Sequence, residues 1–181
     1  MSNWDDVVTR IAPQVVKIET HDGWGTGFIV YGADNWVRTI ATAYHVIENA
    51  YGKPFSIVSG DRKFSFGRPG RKDVLTARIG ELDAVTLVLI RRGLPMPIVP
   101  LLERHETPLA VGMEIGWLGF PRIAEGLCFF SGRVSAIVDD IHFLVDGTAI
   151  HGVSGGPAFC ITEHGPRIVG SITAYLPNRV P

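Results

Sequence analysis

Hydrophobic positions along this chain fall in short runs rich in β-branched and aromatic residues. Polar and turn-forming residues interrupt each run before a helical repeat can establish itself. The segments QVVKIET, GFIVY, WVRTIAT, FSIV, KFSF and VLTARI read as strands, bounded by turn clusters at HDG, YGAD, VSGD and GRPG. DAVTLVLI closes the first half as a nearly continuous apolar strand. A proline-rich stretch follows, Arg91 to Pro108, with four prolines and few strand signals. Past it the strand rhythm resumes with EIGWLGF, LCFFSGRVSAIV, IHFLVD, PAFCI and RIVGSITAYL, and Asp139-Asp140 sits where a hairpin turn belongs. Helical periodicity is confined to residues 2–11 and a short piece near 43–49. In the first of these, Ser2 is placed to cap the helix with Asp5 in the capping-box position. Trp4, Val7, Val8 and Ile11 share one face there, and Pro13 ends the helix. The pattern predicts an all-β protein of two halves, built as two packed barrels or as a β-sandwich.

Composition narrows the picture. The 181 residues suffice for one domain with a sizeable core, or for two small halves packed together. Gly (21) and Pro (12) are abundant, as many turns between short strands require. The formal net charge is −1, so a nucleic-acid partner lacks its electrostatic footprint. The longest apolar stretches, such as Ala84 to Ile90, fall far short of the ~20 residues of a membrane span. The start, MSNWDDVVTR, is acidic where a signal peptide is basic, and no apolar run follows. The expectation is therefore a soluble, cytoplasmic chain with neither a nucleic-acid nor a membrane partner. Cys128 and Cys160 allow one disulfide, but two reduced, buried thiols are expected. No spacing resembles a zinc site and no HExxH occurs, so neither metal nor cofactor is expected. The oligomeric state leaves no readable trace.

One stretch asks for chemistry: GVSGGPAF, Gly152 to Phe159, sets a hydroxyl among three glycines and stops it with a proline. A tight turn between strands accounts for it, and so does a cradle in which bare backbone N–H groups surround Ser154. A serine nucleophile needs a base and a group to orient that base. Of the six histidines, His45 in TIATAYHVIENA opens a helical turn at the end of a strand, at a sheet edge where a site can be built. His21 and His164 lie in turns, His105 in the linker, and His142 alternates with Ile141 and Phe143. His151 is a rival that more naturally flanks Ser154 than faces it. A carboxylate to hold the imidazole is best supplied by Asp83, which opens an apolar strand where burial is costly without partners. The bland alternatives are a packed His45 and a turn-capping Asp83.

In the order His45, Asp83, Ser154, with the first two in one half and the third in the other, the chain resembles the chymotrypsin/trypsin-like serine proteases. GVSGGP looks like that family's G-[DN]-S-G-G-P and TAYHV like its T-[AN]-x-H-[CV]. The finer resemblance is to the HtrA/Deg-type branch. It is carried by APQVVKIET…GWGTGFIV, EIGWLGFP, SGRVSAI and GSITAYL, and runs from about Ala12 to Leu176. The resemblance implies two packed antiparallel six-stranded β-barrels in a single protease domain. Residues 1–92 would form the first barrel, 93–110 the connection and 111–181 the second barrel, with an incomplete C-terminal end. It implies a serine endopeptidase acting on protein or peptide substrates. His45 would be the general base, Asp83 its orienting group and Ser154 the nucleophile, with an oxyanion hole at Gly152, Val153 and Ser154. Thr173 matches a position whose hydroxyl bonds the triad carboxylate, and Ile172, Thr173, Ala174 and Tyr175 would pair with an extended substrate. Thr148 matches the floor of the specificity pocket, where the absence of an anion implies a preference for small or medium apolar P1 residues.

The sequence departs from the family at Val153, where Asp or Asn usually precedes the nucleophile. Valine excludes activation by an ion pair to a new N-terminus and raises the question of a misformed oxyanion hole at rest. Two other functions remain open at this level. GVSGG also fits the G-x-S-x-G elbow of α/β-hydrolases, but only His164 follows the serine, with Glu163 beside it, and the helices are lacking. A protease-like fold that is impaired or held off would act instead as a peptide-binding or regulatory module.

Overall fold

The computed structural model describes residues 3–48, 50, 53–67, 74–78, 80–103, 106, 109–148 and 150–173. About half of these residues are in strands and few are in helices, as the short β-branched runs require. Twelve strands form two antiparallel sheets. The first holds β1 (Val15–Thr20), β2 (Gly23–Ala33), β3 (Val37–Thr42), β4 (Phe55–Ser59), β5 (Arg62–Phe66), β6 (Val74–Arg78) and β7 (Val85–Ile90), in the order β5-β4-β1-β2-β3-β7-β6. The second holds β8 (Glu114–Gly119), β9 (Cys128–Ile137), β10 (Phe143–Asp146), β11 (Pro157–Thr162) and β12 (Gly165–Ser171), in the order β10-β9-β8-β11-β12. This is the chymotrypsin-like double-barrel architecture, with seven strands in one sheet and five in the other among the described residues. The sandwich alternative is set aside.

Two helices accompany the sheets, α1 (Trp4–Ile11) and α2 (Tyr44–Glu48). Asn3, not Ser2, is the N-cap residue of α1, and its side chain makes no capping bond. Ser2 lies outside the described residues. Val7 and Ile11 are fully buried, and the helix passes into a 3-10 turn, Ala12–Gln14, at Pro13. β7 is the nearly continuous apolar strand expected, but its burial is uneven. Its residues alternate between buried and half-exposed, so it is covered on one face only.

Burial divides into three apolar groups. One fills the first sheet, with Val16, Ile18, Ile29, Ile40, Leu87 and Leu89. A second belongs to the other sheet and includes Ile115, Trp117, Val134, Val153 and Cys160. The third lies between them, where Val7 and Ile11 of α1 meet Phe28 of β2, Leu118 of β8, Phe159 of β11 and Val99 of the connection. That middle group is why the two sheets are held against each other. The proline-rich connection is pinned by buried polar side chains. Gln14 Oε1 accepts from the N–H groups of Ile98 and Val99, both at 2.9 Å. Its Nε2 donates to the carbonyls of Ile29 and Val99. Arg38, 3% exposed, donates through Nε to the Leu94 and Pro95 carbonyls. The cysteines are both free, as expected, but Cys128 is only half-buried. Burial raises the Cys160 thiol above its ordinary pKa. Among the described residues no helix is long and apolar enough to cross a membrane, and no group of His, Cys, Asp and Glu is placed to hold a metal ion.

Candidate active site

β3 ends at Thr42, and the chain turns at once into α2, which lifts His45 off the sheet edge. Asp83 lies two residues before β7, the neighbour of β3, so the two side chains meet across adjacent strand ends. His45 Nδ1 and Asp83 Oδ2 are 2.7 Å apart, and the His45 backbone N–H donates to Asp83 Oδ1 at 2.9 Å. Both carboxylate oxygens are thus committed to one residue. An ionised carboxylate only accepts, so Nδ1 carries a proton toward Asp83 and Nε2 is the ring nitrogen that Asp83 leaves unengaged. The expected buried carboxylate is not found: the side chains of His45 and Asp83 are 45% and 39% exposed. Paired with its histidine at the mouth of the cleft, Asp83 avoids the desolvation cost that full burial carries.

Arg78, at the end of β6, bridges the two. Its guanidinium donates to the carbonyls of Leu82 and Glu81, just ahead of Asp83. It also lies 3.7 Å over the ring of Tyr44, the neighbour of His45. Nothing in the sequence marks it, because its partners are backbone oxygens and a ring face.

Ser154 occupies a turn whose peptide groups are almost all spoken for. The His151 carbonyl accepts from Arg122 N–H at 2.8 Å, and Val153 N–H donates to Ile150 O at 3.1 Å. Val153 O accepts from Gly156 N–H, Ser154 O from Thr26 N–H, and Gly155 N–H donates to Ile172 O. Of the three residues expected to line an oxyanion hole, Val153 commits its amide to Ile150, while the amides of Gly152 and Ser154 remain without an acceptor among the described residues. The Val153 side chain is fully buried in the second sheet's apolar group, so its β-branch packs inward without disturbing the turn.

The glycines have a steric reason. Gly152 sits at φ +97°, and a Cβ there would fall onto the Phe120 carbonyl oxygen. Gly155 sits at φ +85°, with the Thr26 carbonyl and the Thr42 hydroxyl in the place of any Cβ. Only glycine meets both demands.

Thr148, Ile172 and Thr173 line one cavity together with Asp83, about 1230 Å³ in volume and backed by Trp117. Thr148 is exposed and Ile172 buried. Among the described residues no hydrogen bond joins Thr173 to Asp83, and none joins Ser154 Oγ to His45. Ala174, Tyr175 and His105 lie outside the described residues. His21, His142 and His164 are engaged at the surface with Asp22, Asp139 and Glu163 respectively. His151 is exposed.

A family model for the trypsin-like peptidase domain matches residues 25–169, most of the chain, and the protein belongs to that family. It is a trypsin-like serine protease. Among solved structures it is similar to the Rv3671c protein of M. tuberculosis, in a serine-to-alanine mutant described as inactive. Identity there is 20% over 94% of this chain and 78% of that one, at a TM-score of 0.69. A second structure, the Rv3671c protease in an inactive form, matches at 20% identity over 90% of this chain and 86% of that one, at 0.63. Deg5 matches at 22% identity over 96% and 87%, with a TM-score of 0.68. At these identities the likeness is one of fold, and in fold the HtrA/Deg-type resemblance holds. No curated protein gives a significant match.

Proposed function

We propose that this protease is a serine endopeptidase in which Ser154 attacks the scissile carbonyl and His45 takes the serine proton through Nε2. Asp83 holds the imidazole tautomer and stabilises the imidazolium that forms. The protonated His45 then gives its proton to the leaving amine, and water releases the acyl group by the same steps in reverse. The developing oxyanion lies against the N–H groups of Gly152 and Ser154, each such donor being worth about 10²–10³ in rate. The observation that carries this reading is the bidentate grip of Asp83 on His45, with the serine turn hydrogen-bonded to the same sheet through Thr26. The segment that follows Ile172, namely Thr173, Ala174 and Tyr175, would pair with an extended substrate by strand addition, the Ile172 main chain itself being bonded to the serine turn. In the cavity beyond Thr148, Phe143, Val169 and Ile172 offer apolar surface, and Asp139 and Asp140 line it from exposed positions. Small or medium apolar P1 side chains are therefore favoured.

Covalent labelling tests the central claim. A peptidyl organophosphonate is expected to modify the wild type and to leave Ser154→Ala untouched. Absence of label on wild type, on folded protein at neutral pH, counts decisively against a competent serine. A second reading, of a protease held off until a ligand arrives, is favoured by the missing Ser154–His45 bond, although such bonds are often loose before substrate binds. It predicts peptide binding by fluorescence anisotropy without turnover, and prompt cleavage of casein would dismiss it.

A further inference from the structure

We propose that Thr26, a first-sheet residue, is the positioning residue that keeps the oxyanion-binding peptides of the second sheet in place. The inference rests on the serine-nucleophile reading above. Thr26 is fully buried in β2 and grips the Ser154 turn twice. Its backbone N–H donates to Ser154 O at 2.8 Å, and its hydroxyl donates to Gly152 O at 2.7 Å. The direction of that hydroxyl is fixed by its other bond. Phe120 N–H donates to Thr26 Oγ1 at 3.0 Å, so the hydroxyl proton is left to point at the Gly152 carbonyl. Thr42 Oγ1 in turn donates to Thr26 O at 2.6 Å, holding the gripping residue itself to β3.

The grip matters because of where it acts. The Gly152 N–H lies in the His151–Gly152 peptide plane and the Ser154 N–H in the Val153–Ser154 plane, so their relative aim depends on the Gly152–Val153 plane that links them. The His151–Gly152 plane is held by Arg122 N–H on the His151 carbonyl. The linking plane is held by the Thr26 hydroxyl and by the longer Val153–Ile150 bond. Glycine at φ +97° has little intrinsic resistance to turning. Removing the hydroxyl leaves the linking plane on a single 3.1 Å bond. It also leaves the Gly152 carbonyl and the Phe120 N–H without their partner in a dry site, which favours a reoriented turn. The side chain never touches substrate. Its effect is to keep two donors aimed at a charge that exists only in the transition state, so its loss falls on kcat.

The test compares wild type, Thr26→Val and Thr26→Ser, with active sites counted by phosphonate titration and stability followed by urea unfolding. For Thr26→Val, kcat per titrated site is expected to fall about 10- to 100-fold, the scale of a sub-ångström to 1 Å misplacement. KM should stay within about twofold. Affinity for a peptide boronic acid, which mimics the tetrahedral adduct, should fall by a factor similar to that in kcat. Thr26→Ser, which keeps the hydroxyl, should hold kcat within about threefold of wild type. An unchanged kcat per site in a labelled Thr26→Val enzyme would overturn the inference while leaving the nucleophile in place. Failure of the wild type to label would instead strike the nucleophile reading. Should Thr26→Val not fold, Thr26→Ser decides alone: a large kcat loss there assigns the effect to the methyl group and refutes a role for the hydroxyl.

Discussion

At the scale of single residues, the sharpest demand is at Gly152. A left-handed φ and an occupied Cβ position coincide there, so Gly152→Ala strains the backbone and pushes the Phe120 carbonyl aside. Such strain costs roughly 2 kcal/mol or more. The turn is expected to relax by reorienting the Gly152 amide, with a loss of kcat of about 10²-fold or more, as for any lost oxyanion donor. Turnover and urea midpoint measured on the same preparation check both halves; an active, fully stable Gly152→Ala protein would show that the cradle tolerates what its geometry forbids. The residues of the proposed constellation were legible as candidates because each sits at a structural punctuation mark: His45 after a strand end, Asp83 before an apolar strand, Ser154 between glycines. Thr26, Arg78 and Arg122 were not. Their partners are backbone groups, in the case of Thr26 as far as 126 positions away, and no local pattern encodes such a bond.

At the scale of elements, the connection between the sheets has little regular structure of its own and is positioned by side chains that reach it from elsewhere. Gln14 satisfies four backbone groups with one buried amide. Gln14→Leu keeps the volume and removes every bond, and an unpartnered buried group costs about 1–3 kcal/mol. A loss of about 3 kcal/mol or more is expected, read as a lower urea midpoint at constant slope. A change under ~1 kcal/mol would mean that the connection moves to find other partners. Strands were readable wherever β-branched runs ended at turn clusters. The length of β2 was not, since its eleven residues include a register shift between Ile29 and Tyr31 that period-two reasoning passes over. The one-sided covering of β7 was also hidden, because an apolar run does not reveal which face meets solvent.

At the scale of the whole molecule, acid sensitivity follows from carboxylates that folding holds in their charged form. Backbone donation from Glu103 and the guanidinium of Arg167 lower the pKa of Glu106. Lys63 lowers that of Glu19, and His142 with the Ile141 N–H lowers that of Asp139. A lowered folded pKa stabilises the protein above the ordinary carboxylate value, about 4. That stability is lost as the pH falls through the lower folded value. The melting temperature is therefore expected to hold from neutral pH to about 5 and to decline below about 4. Arg167→Leu should flatten part of that decline; an equally steep fall in the variant would place the acid response elsewhere.

The hydrogen bonds from Thr26 to the Ser154 turn have a consequence for how this enzyme fails. On the proposed reading, these bonds across the seam between the halves also aim the reactive centre, so a small parting of the two sheets would disarm the enzyme while each sheet remains intact. On gentle heating, activity should decay ahead of any spectroscopic sign of melting. A small molecule wedged at that seam would silence the enzyme without ever entering the substrate cleft.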